Sequence, residues 1–460
     1  MSLHLRSAVE LLALYGRGEV SPLDVARDLI AHVERSEPVL HALWAFDADA
    51  LLAQARDSQA RWHRGQALPL DGVPVTVKEN IATRGVPVPL GTAATELLPA
   101  LSDAPPAARL REAGAMIVAK TTMPDYGMLS SGLSSFHALA RNPWNPALNP
   151  GGSSAGAAAA CAGGYGPLHL GTDIGGSIRL PAAWCGIVGF KPSLGRVPID
   201  PPFPGRVAGP MTRSVADAAL AMLVLSLPDA RDAMSLPWQP LPWGDLETPL
   251  RGLRIGLWLD AGWGLAPEPE VLDAVQAAAR AFEAAGAVVE PLPPFTTRAM
   301  IEGLDHFWRQ RAWLDIAALP APRRERVLPY IRRWAEGGAR LSGEQVYRGF
   351  AQMAAIRDAT VAATQRFDAV LSPVSPVGSF PAEWASPIDD PDRPFEHIAF
   401  TLPFNMSEQP AVSVNAGHDT QGMPVGLQIA TRRHDDVGAL RIAAAWERLR
   451  PAQRPWPMGT

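Results

Sequence analysis

Lysine is almost missing from this sequence: Lys78, Lys120 and Lys191 are the only three, and the other basic side chains are arginine and histidine. Arginine stays protonated in proteins, so few side chains here can lose a proton from a cation and then act as a base. Cysteine is just as scarce. Cys161 and Cys185 alone make neither a disulfide scaffold nor a four-thiolate zinc site, and they read as small buried thiols. No basic block occurs, and 41 basic against 46 acidic residues leave a net charge of −5. A protein led by phosphate contacts would be basic, so no nucleic-acid partner is expected. No uninterrupted apolar run reaches the ~18 residues of a membrane span. The richest, Ala155 to Leu170, is heavy in alanine and glycine and holds His169, which suits a buried helix. Met1 to Val20 interrupts its apolar residues with Arg6, Glu10 and Arg17, as an amphipathic helix does and a signal peptide does not. The expected compartment is the cytoplasm, with no membrane partner.

What is present is enough to build a large core: 47% of the 460 residues are hydrophobic and 19% charged. Length alone suggests about three domains at ~150 residues each, although large single-sheet enzymes run longer. The first sixty residues read as helices, one of them opened by Ser21-Pro22-Leu23-Asp24 with a capping serine and a first-turn proline. From Asp71 the texture changes to short β-rich runs; Val73 to Val77 predicts a strand with Lys78-Glu79-Asn80 at its C-terminal end. Two helix–glycine–strand units look alike, Ala107 to Gly114 leading into Ala115–Ala119, and Glu270 to Gly286 leading into Ala287–Val289. In both, glycine supplies the helix stop, and the apolar run predicts a strand buried on both faces. The alternation argues for an α/β sheet covered by helices. Further strands are expected at Leu253–Leu259, Asp368–Leu371, Ala411–Val414 and Gly426–Ile429, with a closing helix Gly438–Arg448. The Pro- and Trp-rich segment Pro237 to Pro249 reads as a boundary between subregions of one fold, and residues 300–366 as a helical excursion.

Two Gly/Ser clusters follow one another in the middle of the chain. Pro150-Gly151-Gly152-Ser153-Ser154-Ala155-Gly156 opens an Ala-rich helix, and Gly171-Thr172-Asp173-Ile174-Gly175-Gly176-Ser177-Ile178-Arg179 comes soon after. Glycines before a serine let the backbone turn sharply and aim consecutive N–H groups at one point, which a serine nucleophile needs for its oxyanion. The same clusters also suit structural turns or a phosphate nest. The P-loop lysine and a GxGxxG pattern are absent, which weakens nucleotide binding. No histidine lies in either cluster; His137 and His169 are isolated and read as structural or surface groups. A lysine at a strand end inside an apolar core can lose its proton. A buried ion pair is the alternative.

Taken together, these segments resemble the amidase signature family, most densely from Asp71 to Asp217. The two clusters carry the resemblance, with Pro181 to Pro192, Lys120 to Pro124, Arg141 to Trp144, Gln409-Pro410-Ala411 and Gly422 to Gln428 in matching order. The resemblance implies a serine–cis-serine–lysine triad: Ser177 as nucleophile, Ser153 as bridge with a cis Gly152–Ser153 peptide, and Lys78 as base. It implies an oxyanion hole from the backbone N–H groups of Ile174, Gly175 and Gly176, with Ser154, Asp173 and Arg179 in support. Two departures stand out: Glu79 where aspartate is common, and Ala155 where glycine or serine is common. They bear on packing around the site, not on the reaction class.

The implied fold is α/β, a single large domain with a mixed β-sheet core covered by helices on both faces. Its parts would be N-terminal helices 1–60, a catalytic core 61–225 and a completing region 226–460. The implied activity is hydrolysis of a carboxylic amide to acid plus ammonia or amine, without metal or organic cofactor. Rival readings are the glutaminase-like subunit of a tRNA-dependent amidotransferase, an esterase, and a non-catalytic binding protein on the same fold. The proline-rich run Asp200 to Pro204 looks more like a free-standing amidase. The expected partners are a small-molecule amide and, at most, a second copy in a homodimer. Met123, Met128, Leu129 and Phe136 are candidates for an apolar acyl pocket, and Trp308, Trp313 and Trp334 for its wall; ordinary core packing competes for each.

Overall fold

The glycine stops fall where the sequence puts them. Gly114 (φ +82°) and Gly286 (φ +99°) end helices Pro105–Glu112 and Pro269–Ala284 in the left-handed region. Ser21 caps helix Pro22–Leu40 by accepting the Asp24 N–H, and the Asp24 carboxylate returns the bond to the Ser21 N–H. The computed structural model describes residues 2–457.

The strands are β1 (Leu43–Trp44), β2 (Pro74–Lys78), β3 (Met116–Thr121), β4 (Leu168–Asp173), β5 (Val188–Lys191), β6 (Val207–Thr212), β7 (Arg254–Leu257), β8 (Val288–Pro291), β9 (Ala369–Pro373), β10 (Ala411–His418) and β11 (Pro424–Thr431). They form one 11-stranded mixed sheet in the order β1-β3-β2-β4-β6-β5-β10-β11-β9-β7-β8. Strands β3, β2 and β4 run parallel, as do β9, β7 and β8; the centre between them is antiparallel. The fold is thus a single α/β domain on a mixed sheet.

Side-chain alternation along the strands separates two cores. Ala369 and Leu371 of β9, Val412 and Val414 of β10, and Leu427 and Ile429 of β11 enter one cluster, which also takes helices Pro269–Ala284 and Asp436–Leu449. Val370, Ala411 and Ala430 point the other way, into a second cluster built with Trp258, Phe400 and helices Arg298–Ala317 and Gly343–Thr364. Burying each such aliphatic side chain stabilises the fold by ~1.5–3 kcal/mol. Among the described residues, no helix is long and apolar enough to cross a membrane.

Two expectations need correction. β8 is not buried on both faces: it is the last strand of the sheet, and its pattern is exposed at both ends. Its sequence is apolar because one face still packs on the core, as Val289 does. Ala155 to Leu170 is not one helix either; it breaks into helix Ala155–Ala162, a glycine turn and the first residues of β4. Gly163, Gly164 and Gly166 end the helix, and Gly164 and Gly166 hold φ of +81° and +96°.

Helix Ala155–Ala162 packs so closely that Gly156 has no room for a side chain. A Cβ there would lie 2.2 Å from the Ala42 carbonyl oxygen and 2.4 Å from the Thr122 nitrogen. Gly156→Ala should therefore lower stability by about 1–3 kcal/mol. Gly343→Ala, at a helical position with open space around it, should be neutral or stabilising by about 0.4–1 kcal/mol. Denaturant unfolding of the two variants side by side checks the opposite signs.

Candidate active site

Strands β2 and β4 are parallel neighbours, so both deliver their C-terminal residues, Lys78 and Asp173, to one end of the sheet. The two Gly/Ser clusters meet there. The Gly152–Ser153 peptide is cis, and Ser153 leads into helix Ala155–Ala162. The second cluster leaves β4 and turns at Gly176, whose φ of +130° favours glycine. The carbonyl of Gly175, just before the turn, accepts the Thr401 hydroxyl at 2.6 Å.

Lys78 is fully buried. Its Nζ donates to Ser153 Oγ at 2.8 Å and to Thr172 Oγ1 at 3.0 Å, with the Thr172 carbonyl at 3.5 Å. Among the described residues, no carboxylate comes within ion-pair distance of it. Burial pulls its pKa down to about 7, against the weaker opposite pull of Asp173 and Glu79. Lys120 and Lys191 are also buried and also drawn down to about 7 by burial, but neither touches a serine. Lys120 donates to the Ile81 carbonyl and, at 2.7 Å, to Thr83 Oγ1; Lys191 donates to the Pro192 carbonyl at 3.0 Å.

Ser177 is held by its backbone, its carbonyl accepting the Ser154 N–H at 3.2 Å. Among the described residues its hydroxyl has no partner, and Ser177 lines a cavity of about 330 Å³. No hydrogen bond joins Ser153 to Ser177. The N–H groups of Ile174, Gly175 and Ser177 find no acceptor, whereas the Gly176 N–H donates to Asp173 Oδ1 at 2.7 Å. Ser154 Oγ bonds to both the carbonyl and the N–H of Thr172 at 3.3 Å, tying the first cluster to β4.

Beneath the turn lies a fully buried ion pair. Asp173 receives Arg179 Nε and Nη2, both at 3.0 Å, as well as the Gly176 and Ile178 N–H groups and Asn405 Nδ2. Arg179 also reaches the Thr401 carbonyl at 2.9 Å and Gln428 Oε1 at 2.7 Å. Burial alone would raise the Asp173 pKa; the Arg179 charge and these bonds overcome it and hold the carboxyl well below the usual carboxylate range. A buried pair this fully hydrogen-bonded fixes geometry, and losing one partner would leave the other uncompensated.

The cavity is lined by Met123, Met128 and Leu129, by Ile174, Gly175 and Ser177, and by Trp308 on helix Arg298–Ala317. Phe136 is elsewhere, packed on Trp44 and His137. Trp334 is buried with its Nε1 on Asp305, and Trp313 does not reach the cavity. The lining is less apolar than the sequence suggests, because Asn80, Arg206, Arg311, Asp315 and Tyr330 join it. Sequence reasoning misses these five. Asn80 stands two residues past Lys78 and donates to Thr172 Oγ1 at 3.1 Å, a proximity the sequence does carry; the arginines arrive from distant segments. His137 pairs with Glu79, and His169 bonds Thr76 Oγ1 and the Gly166 carbonyl. Among the described residues, no group of three or more His, Cys, Asp or Glu is placed to hold a metal ion.

Known proteins arrange themselves around this geometry. The amidase family model matches residues 24–440. A glutamyl-tRNA(Gln) amidotransferase subunit of Myxococcus xanthus is 35% identical, over 96% of this chain and 96% of its own. The acylamidase of Rhodococcus erythropolis is 32% identical, over 98% and 96%. The crystal structure of a bacterial aryl acylamidase of the amidase signature enzymes superposes with a TM-score of 0.89 at 30% identity, covering 98% of this chain and 97% of that one. With a family match over nearly its whole length and relatives above 30% identity, the chain belongs to the amidase signature family.

Proposed function

We propose that this protein is a free-standing amidase that cleaves linear carboxylic amides through an acyl-serine, with Ser177 as nucleophile, Ser153 as relay and Lys78 as base. One observation carries the reading: a lysine buried without a counter-ion donates to Ser153 at 2.8 Å, beside a serine that lines the cavity. Ser177 Oγ attacks the amide carbonyl as its proton passes to Ser153, and the Ser153 proton passes to Lys78 Nζ. The Ser177–Ser153 bond is the link the free protein leaves open, and catalytic hydrogen bonds often tighten only once substrate is bound. The oxyanion is met by the unused N–H groups of Ile174 and Gly175, with Gly176 contributing by sharing the hydrogen it gives to Asp173. The C–N bond breaks, and the amine leaves with the proton returned from Lys78. Water, deprotonated along the same route, attacks the acyl carbon, releases the acid and restores Ser177. Ser154, Asp173 and Arg179 hold the turn in shape, and Met128 and Leu129 flank the substrate.

Every group in this scheme comes from one chain, so a homodimer is not required for it. A cytoplasmic site of action fits the two free, buried cysteines. The 35% identity to an amidotransferase subunit favours a second reading, in which the chain supplies ammonia to a partner. Amide turnover by the chain purified alone supports the first reading; turnover that appears only with added partner subunits supports the second.

A serine-directed fluorophosphonate should label wild-type protein at Ser177. Ser177→Ala should lose the label and at least about 10³-fold in kcat, the scale on which removing a nucleophile acts. Mass spectrometry of the labelled peptide and steady-state kinetics check this, and wild-type activity in Ser177→Ala would sink the assignment.

Lys78 gives a pH test. The base must be neutral to accept a proton, and its conjugate acid ionises at about 7. Activity should therefore climb as pH rises towards that value and stay level on the alkaline side. Lys78→Arg keeps the charge but cannot act as a base, so it should be as inactive on amides as Lys78→Ala. A pH–rate profile of all three proteins decides, and an active Lys78→Arg enzyme removes the base role.

A further inference from the structure

Two guanidinium groups from separate parts of the chain share the cavity wall with Ser177, and among the described residues neither has a carboxylate within ion-pair distance. Arg206 belongs to the loop before β6, and Arg311 to helix Arg298–Ala317. Among the described residues, the only acceptor of Arg206 is the Pro201 carbonyl. Arg311 has no hydrogen-bond acceptor among the described residues; it lies over Phe203, its Cζ 4.3 Å from the ring centroid. Phe203 is in turn stacked on Phe307, with centroids 6.4 Å apart. A guanidinium has five N–H donors, so most of those at this wall are unspent. The two charges also oppose each other: burial, and then the charge of Arg311, draw Arg206 down to about 10, so both stay cationic at neutral pH. Asp315, the one carboxylate in the lining, sits a helical turn past Arg311 and pulls on it, and Asp200 and Asp232 pull on Arg206 from outside the lining; the lining itself carries two positive charges against one negative.

Like charges held on one wall of a low-dielectric cleft attract an anion strongly, and arginine forks match carboxylate geometry. The rest of the lining gives the remainder of the ligand's shape, with Met128, Leu129 and Trp308 offering apolar contact in the same cavity. We propose that Arg206 and Arg311 form a carboxylate subsite, so that the preferred substrate is an amide that also carries a carboxylate across a short apolar spacer. This rests on the amidase reading above. The carboxylate can belong to the acyl part, as in the monoamide of a dicarboxylic acid, or to the amine part, as in an N-acyl amino acid.

Four probes separate these cases: adipic acid monoamide, N-hexanoylglycine, neutral hexanamide and cationic 6-aminohexanamide. One or both acidic amides should exceed hexanamide in kcat/KM by about tenfold or more, the size of one charge-assisted hydrogen bond. Which of the two does so identifies the side that bears the carboxylate. Arg311→Met should collapse the acidic-to-neutral ratio, and Arg311→Glu should turn the preference towards 6-aminohexanamide. Arg311 is exposed, so the two changes alter its contact with Phe203 but remove no buried core side chain. Calorimetric binding of adipate tests the subsite apart from catalysis: adipate should bind wild type more tightly than Arg311→Met, and more weakly as salt rises. If no amide is turned over but adipate binds in this way, the amidase reading fails and the subsite stands. Equal kcat/KM for acidic and neutral amides, a uniform loss across all four probes in Arg311→Met, or adipate affinity indifferent to Arg311 overturns the proposal.

Discussion

Lys78 lies in full burial with neighbours that carry no formal charge, the Ser153 and Thr172 hydroxyls at 2.8 and 3.0 Å. An ammonium in such a place is poorly solvated, and the environment favours the neutral amine. That condition reaches outward. The carboxylate nearest in the motif, Asp173, must be kept from forming the ion pair that would hold Lys78 protonated, and Arg179 does so by giving it two bonds. Glu79, next in sequence, is occupied by His137 and by the Gly91 N–H at 2.9 Å. The acids around the lysine are thus all spoken for.

The sheet makes this arrangement possible. Parallel pairing of β2 with β4 brings a lysine and a glycine-rich turn together although 75 residues separate Lys78 from Ser153. Helix Ala155–Ala162 then packs against the end of β3 through Gly156, whose N–H bonds the Thr122 carbonyl at 3.0 Å. Gly127 serves the same end from the cavity side: a Cβ there would press to 3.3 Å from Ser153 Oγ. Close backbone approach at Gly127 and Gly156 thus packs tightly against the segment that carries Ser153.

Strand and helix identities were legible where a local cause set them. Ser21, Gly114 and Gly286 mark helix ends by capping and by left-handed backbone, and both effects act within a few residues. β8 misled because an apolar triplet looks alike at the edge and in the centre of a sheet; its neighbours are decided by pairing, which no short window contains. The Ala-rich run misled for a related reason, since alanine and glycine suit a helix and a tightly packed strand end equally. For the site, motif order pointed to Lys78 and Ser153, which the fold places in hydrogen-bond contact, and to Ser177, which lines the cavity. Arg206 and Arg311 stayed hidden, since they meet only through packing between a loop and a helix more than a hundred residues apart.

The second core has a consequence of its own. Trp308, Arg311 and Tyr330 reach the cavity from helices that are anchored in a separate apolar cluster with Trp258 and Phe400, while Lys78, Ser153 and Ser177 are set by β2, β4 and the two glycine turns. The cavity wall and the Lys78–Ser153 pair are thus carried on different elements, joined through Leu180 and Trp184 of helix Arg179–Cys185, which belong to the same cluster as Trp308. Substitutions along helices 298–317 and 329–336 can therefore reshape the cavity without altering the backbone turns that carry Ser153 and Ser177. Diversification under such an arrangement proceeds by reupholstering one wall of a room whose plumbing stays in place.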